Sequence, residues 1–418
     1  EDEVRRAATS TVAGTIRGLE QVGGFGGKAV TLASGEVLAD DPSFYARQFE
    51  ILATLTPGEV QAAMQRWMTR PSFTLVLEPG ERDGSYEEAA GVAEAAGDGD
   101  PAEEVTVTKV RPAPPIDSVA ELDFPEVQHT TLANGMALHY AQRDAIPATY
   151  VTLSFDAGST ADPADKRGLE GLALGLFEEG TTTMSSREIA ETSERLGANI
   201  SLGGGADRSS FTLSALSANL VPSLELLSDI VRNPAFAQSE IDRVRAQRIT
   251  GVEQELRTPS AIAARTISPL IYGAESPYAG PDTGTVASLS AITREDITGF
   301  KDRWIRPDNG AVFVVSDRPL AEIEAALNGV LGDWQAPAVA KGTKSFDAAP
   351  AAPAESRIVL VNRPNSPQSY IYGGQLTSVD PRGETYVDFL NANNALGGNF
   401  LARLNMNLRE TKGWSYGV

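Results

Sequence analysis

Residues 168–181 read GLEGLALGLFEEGT, which has the frame of a metal-binding helix without its ligands. An inverted zinc motif places His, any two residues, Glu and His on one helix. Its two His stand at i and i+4, so both imidazoles leave one face, and zinc takes nitrogen donors at about 2.0–2.1 Å. Gly171, Leu174 and Gly175 occupy the His, Glu and His positions of that frame. Hydrogen and hydrocarbon offer a cation no electron pair. The stretch therefore predicts an apolar helix over 168–179 that holds no metal.

The flanks extend the pattern. Gly180 and Thr181 form the exit, and Ser185 followed by Glu188 is a capping-box signature for a second helix over 185–197. The chain has only two His, His129 and His139, on alternating segments either side of an Asn134-Gly135 turn signal. That placement predicts hairpin residues rather than ligands. No Cys is present, so neither disulfides nor thiolate metal sites are possible.

With 418 residues and 41% apolar content, the chain is long enough for two to four domains with sizeable cores. A net charge of −21 argues against a nucleic-acid-binding surface, because phosphate binding needs clustered Lys and Arg. No nucleic-acid partner is expected. No apolar run reaches the length of a membrane span, and no signal peptide is visible in this segment. The segment 23–28, GGFGGK, has the look of a phosphate loop. It lacks the Gly five residues before Gly27, and Ala29 replaces the hydroxyl that would hold Mg²⁺. A turn between helices is the better reading.

An internal repeat organises the chain. Thr56, Glu59 and Val60 lead to Arg66-Trp67 and an apolar run at 73–77; Thr293, Asp296 and Ile297 lead to Arg303-Trp304 and a run at 311–315. Pro71 and Pro307 follow with a one-residue slip. Each copy predicts a Thr-capped helix with an acid at its third position, then a strand. Between the copies, residues 78–104 are rich in Ala, Gly, Glu and Asp with Arg82 as the only base, and Pro112, Pro114 and Pro115 follow. This composition predicts a linker, because it cannot bury enough apolar surface to order itself.

Further strands are predicted near 150–156, 198–203, 207–215 and 310–316, and helices at 217–232, 238–257, 259–271, 293–305 and 319–331. Long helices beside short strands give an α+β class, an antiparallel-rich sheet with helices packed on one face. A Pro- and Ala-rich connector at 347–354 precedes strands expected near 357–361 and 369–375. The last segment runs from Gly397-Gly398-Asn399 through a helix expected over 400–409 to Gly413, Ser415 and Tyr416. From spacing alone Arg409 reads as a helix-terminal residue near exposed carbonyls and Tyr416 as a strand residue of the core. An Arg fork can also donate to carbonyl oxygens and a Tyr hydroxyl to an oxyanion, so both are candidates for binding a peptide backbone.

The decayed frame with its flanks, the repeat, and the Leu-Arg-Glu helix end followed by Gly and Ser-Tyr together resemble the pitrilysin/insulinase-type zinc metallopeptidases. The resemblance implies sandwich domains of the pitrilysin type: 1–79 as the closing part of one domain, 80–125 as linker, 126–345 as a complete domain with a degenerate zinc motif, and 346–418 as the opening part of another. It implies that Arg409 and Tyr416 bind substrate, and that no catalytic residue and no metal ligand lie in this segment. Zinc is then expected in a missing catalytic half, in the same polypeptide or a sister subunit, with peptides as substrates. Glu253 and Glu255 fall where the family keeps its third ligand, and without the two His they are expected to be solvated. A periplasmic or exported location is implied by bacterial relatives of this type. The alternative is a catalytically dead scaffold of the same fold, and an unrelated α+β ligand-binding protein is the remaining reading.

Overall fold

The computed structural model describes residues 1–77, 80, 124–346 and 355–418. The predicted linker at 80–125, Gly80 and the last two residues apart, and the connector at 347–354 lie outside the described residues.

Four helices come first: α1 (Asp2–Gly18), α2 (Lys28–Ala39), α3 (Phe44–Thr54) and α4 (Pro57–Met68). Residues 23–27 lie in the turn between α1 and α2, and Lys28 opens α2. A six-stranded sheet follows, from β1 (Val127–Thr131), β2 (Ala137–Gln142), β3 (Ala148–Phe155), β4 (Asn199–Gly204), β5 (Ser209–Leu216) and β6 (Gly310–Ser316). Its spatial order is β1-β2-β6-β3-β5-β4, and every pairing is antiparallel except β2 with β6. The β1–β2 hairpin turns at Gly135, whose φ of +88° suits a residue without a Cβ. Gly203 and Gly204 end β4 as paired residues.

Between and after the strands lie α5 (Leu169–Leu174), α6 (Ser186–Leu196), α7 (Leu220–Arg232), α8 (Gln238–Glu255), α9 (Pro259–Tyr272), α10 (Val286–Ala291), α11 (Arg294–Trp304) and α12 (Leu320–Leu331). The α+β class is the observed one. Alternation along the strands sends Leu138, Tyr140, Val151, Leu153, Phe155, Phe211 and Leu213 to one face. There they meet Leu172, Leu224, Leu227, Ile230, Ile297 and Trp304 from the helices and Phe177 from the turn after α5. α1 joins this unit through Arg17, whose guanidinium donates to the Ser214 hydroxyl at 2.7 Å and carbonyl at 3.0 Å.

Both repeat helices start with the predicted capping box. Thr56 with Glu59, and Thr293 with Asp296, exchange side-chain and backbone hydrogen bonds in both directions. The copies then diverge. Trp304 is buried and β6 follows it, whereas Trp67 is exposed and residues 71–77 form no strand. The strands expected near 357–361 and 369–375 are absent as well. A strand is held by its neighbour's hydrogen bonds, and these runs have no ladder partner among the described residues. Phe73, Leu77, Ile358, Leu360 and Ile371 are left facing solvent.

The helix expected over 400–409 is broken too. α13 (Thr385–Asn393) gives way to π-type turns at Asn394–Gly398, then α14 (Arg403–Asn405) and further π-type turns at Met406–Thr411. Asparagine amides compete for backbone carbonyls here. Asn399 donates to the carbonyl of Asn394 at 3.0 Å and Asn405 to that of Phe400 at 2.6 Å.

Candidate degenerate metal site

α5 starts at Gly168, which takes φ +89° in the left-handed region. The Asp162 carboxylate caps the start of α5, accepting the N–H of Gly168 and of Glu170 at 2.8 Å each. The regular helix ends at Leu174, well short of 179. Beyond Gly175 the chain tightens to i→i−3 bonds, from Leu176 to Ala173 and from Phe177 to Leu174, which keeps Leu176 and Phe177 in the core.

Gly171 and Gly175 share one face of this element, and the side chain of Arg248 from α8 lies against both. A Cβ on Gly171 would stand 2.9 Å from Arg248 Nη1, and one on Gly175 would stand 3.2 Å from Nη2. A guanidinium therefore fills the space that imidazoles would claim. Leu174 is 6% exposed and belongs to the hydrophobic core. These groups do not fit zinc: two positions have no side chain, one is hydrocarbon, and the facing residue is a cation. Among the described residues, no group of three or more His, Asp, Glu or Cys comes together to hold a metal.

Burial weakens the hold of Arg248 on its proton, and the charge of Glu170 opposes that. Glu170 is 4% exposed. Burial raises its pKa, while the Ser209 hydroxyl, donating at 2.6 Å, and then Arg248 favour the anion. Gly204 makes room for this carboxylate, since a Cβ there would collide with it. The centre thus contains a partly buried cation near a buried carboxylate. That arrangement can hold two segments together, and it supplies no set of metal ligands among the described residues.

Asp162 carries a pH dependence. Burial pushes its carboxyl up from the ordinary 3.8 to about 7, against the pull of its two backbone N–H bonds. Between those values the folded protein keeps a proton that the unfolded chain has released, so stability from this group falls as pH rises. Raising the pH from 5.5 to 7 should lower the unfolding free energy by about 2 kcal/mol. Urea midpoints at the two pH values measure this, and Asp162→Asn should flatten the difference.

The other expected residues fall as follows. Glu253 is exposed, as predicted for a solvated carboxylate. Glu255 is not simply solvated: it pairs with Arg265 Nη2 at 2.5 Å and accepts from Thr283 at 3.0 Å. Arg409 and Tyr416 are brought together, with the guanidinium carbon 4.9 Å from the Tyr416 ring centre and 4.5 Å from that of Phe400. Arg409 also pairs with Glu410 at 3.2 Å. The residues missed in the sequence are Arg248, Glu170 and Asp162. Glycines at i and i+4 were the available signal for the first of these, because they open a slot along a helix that a long side chain can enter.

A family model described as insulinase (peptidase family M16) matches residues 139–270, and one described as the peptidase M16 inactive domain matches residues 291–418. An uncharacterized zinc protease of Bacillus subtilis is 22% identical over 295 residues, covering 70% of this chain and 69% of its own length. An uncharacterized zinc protease of Mycobacterium tuberculosis (strain H37Rv) is 24% identical over 297 residues, 70% of this chain and 66% of its own. The mitochondrial-processing peptidase subunit alpha of Solanum tuberosum is 27% identical over 203 residues, 44% of this chain and 39% of its own. The crystal structure of a peptidase M16 inactive domain from Pseudomonas fluorescens superposes with a TM-score of 0.62 at 24% identity, covering 70% of this chain and 69% of that one.

Proposed function

Because this chain belongs to the insulinase-type peptidases of family M16 and carries an inactive domain of that family, we propose that it is a non-catalytic portion of a zinc-dependent metalloendopeptidase. The observation that carries this reading is the Arg248 guanidinium lying against Gly171 and Gly175, where the motif's frame puts metal ligands. Residues 126–345 are read as a complete domain of the family fold, with 1–79 and 346–418 as parts of its neighbours.

The chain's own contribution is to bind peptide. Arg409 would donate from its fork to substrate carbonyls and keep its charge while doing so. Tyr416, 89% exposed, has its hydroxyl free to donate to a developing oxyanion. Zinc, held by a catalytic half in the same polypeptide or a sister subunit, would supply the activated water. No described helix is long and apolar enough to cross a membrane. An exported compartment is part of the proposal and rests on the resemblance to bacterial relatives.

One observation favours a dead scaffold of the same fold: Arg409 is already engaged by Phe400, Tyr416 and Glu410. The two readings separate in one assay on the full-length polypeptide with a quenched fluorescent peptide. The proposal expects cleavage that a chelator abolishes and zinc restores, and none from this chain alone. Full-length protein that binds the peptide without cleaving it, with zinc present, would support the scaffold.

A further inference from the structure

We propose that His129 and His139 form a copper(II)-binding pair on the open face of the sheet, a site separate from the degenerate motif. The two residues are directly opposite in the antiparallel β1–β2 register. Leu138 and Tyr140, on either side of His139, are buried toward the helices, so His139 stands on the other face. The Nδ1 atoms of the two imidazoles lie 2.7 Å apart. The rings meet edge to face at 80° with centres 4.9 Å apart. The His139 ring is itself stacked on Phe313, at 4.8 Å and 22°, which fixes its orientation before any ligand arrives.

Two imidazole nitrogens this close on paired, hydrogen-bonded strands can supply two ligands of a transition-metal site once the rings rotate to turn both lone pairs toward one ion. Without metal, one Nδ1 donates its proton to the other. With metal, both rings keep their proton on Nε2 and both Nδ1 lone pairs face the ion, so a tautomer change accompanies the rotation and no net proton is lost.

Bond lengths decide which ion fits. At metal–nitrogen distances of about 2.0–2.1 Å, cis positions of a square plane put the nitrogens about 2.9 Å apart, whereas tetrahedral positions need about 3.3 Å. The observed 2.7 Å lies nearer the square-planar value. Tetragonal geometry with imidazole donors suits copper(II) and nickel(II), and copper(II) binds more tightly in the general order of divalent ions. Water would complete the coordination. The net charge of −21 favours a cation on long-range electrostatic grounds.

The chemistry also makes the test clean, because the chain has two His in all and no Cys. Copper(II) is titrated into the protein in a non-coordinating buffer, followed by calorimetry and by electron paramagnetic resonance. One copper per chain is expected, with hyperfine structure from two equivalent nitrogens. His129→Asn or His139→Asn should weaken binding about tenfold or more. Zinc should bind more weakly than copper. A spectrum with fewer than two imidazole nitrogens in the unmodified protein would overturn the proposal without recourse to any variant. So would equal copper affinity in the double Asn variant.

Discussion

The variant Gly171→His, Leu174→Glu, Gly175→His, which rebuilds the full set of motif residues, is expected to unfold rather than to bind zinc. Its loss should be on the order of 3–5 kcal/mol, from three costs that fall on one buried face. An imidazole at 171 must begin with a Cβ 2.9 Å from the Arg248 guanidinium, and one at 175 with a Cβ 3.2 Å from it. A Glu at 174 replaces a core leucine that is 6% exposed. The carboxylate would enter a hydrophobic cluster beside Glu170, itself already raised by burial. Urea denaturation measures the loss. Adding Arg248→Ala should recover part of it, because the slot empties and a cation leaves. Only in that fourfold variant should zinc raise the unfolding midpoint. A triple variant as stable as the parent would show that Arg248 does not fill the slot.

The second large effect concerns Arg409 and Tyr416 in the full-length polypeptide. Arg409→Ala, which removes a donor to substrate carbonyls, and Tyr416→Phe, which removes an oxyanion donor, should each lower kcat/KM toward a peptide by about a hundredfold to a thousandfold. Stability should barely move. Tyr416 is 89% exposed, and an exposed cation–π contact contributes only about 0.5–1 kcal/mol. This contrast separates substrate binding from a structural role, since a structural role would move the unfolding midpoint and leave kcat/KM per folded molecule unchanged. The double variant should lose less than the product of the two single losses, because the residues would act on one intermediate. Full activity in both variants would remove the pair from the reaction and favour the scaffold.

Local rules account for what the sequence showed. Thr293 and Asp296 specify their cap within four residues, and Asn134-Gly135 specifies a hairpin turn within two. The six strands were legible because their alternation is a local signal, and β6 was legible as the run after the second repeat helix. The runs at 73–77 and 357–361 are apolar and β-branched enough to read as strands, yet strand formation depends on a neighbour that no local pattern can supply. The decayed motif was legible as an absence of donors. What replaced them was not: Arg248 lies 77 residues beyond Gly171 (248 − 171 = 77) and reads as one polar residue of a polar helix. Nothing in the local pattern marks Asp162, and only burial and two backbone N–H groups make it a cap.

Anomalous diffraction at the zinc edge, on crystals of this chain grown with zinc, tests the central claim most directly. The account predicts the Arg248 guanidinium against Gly171 and Gly175, with no anomalous peak beside Leu174. A zinc peak within bonding distance of protein atoms on that helix, with Arg248 displaced, would contradict it.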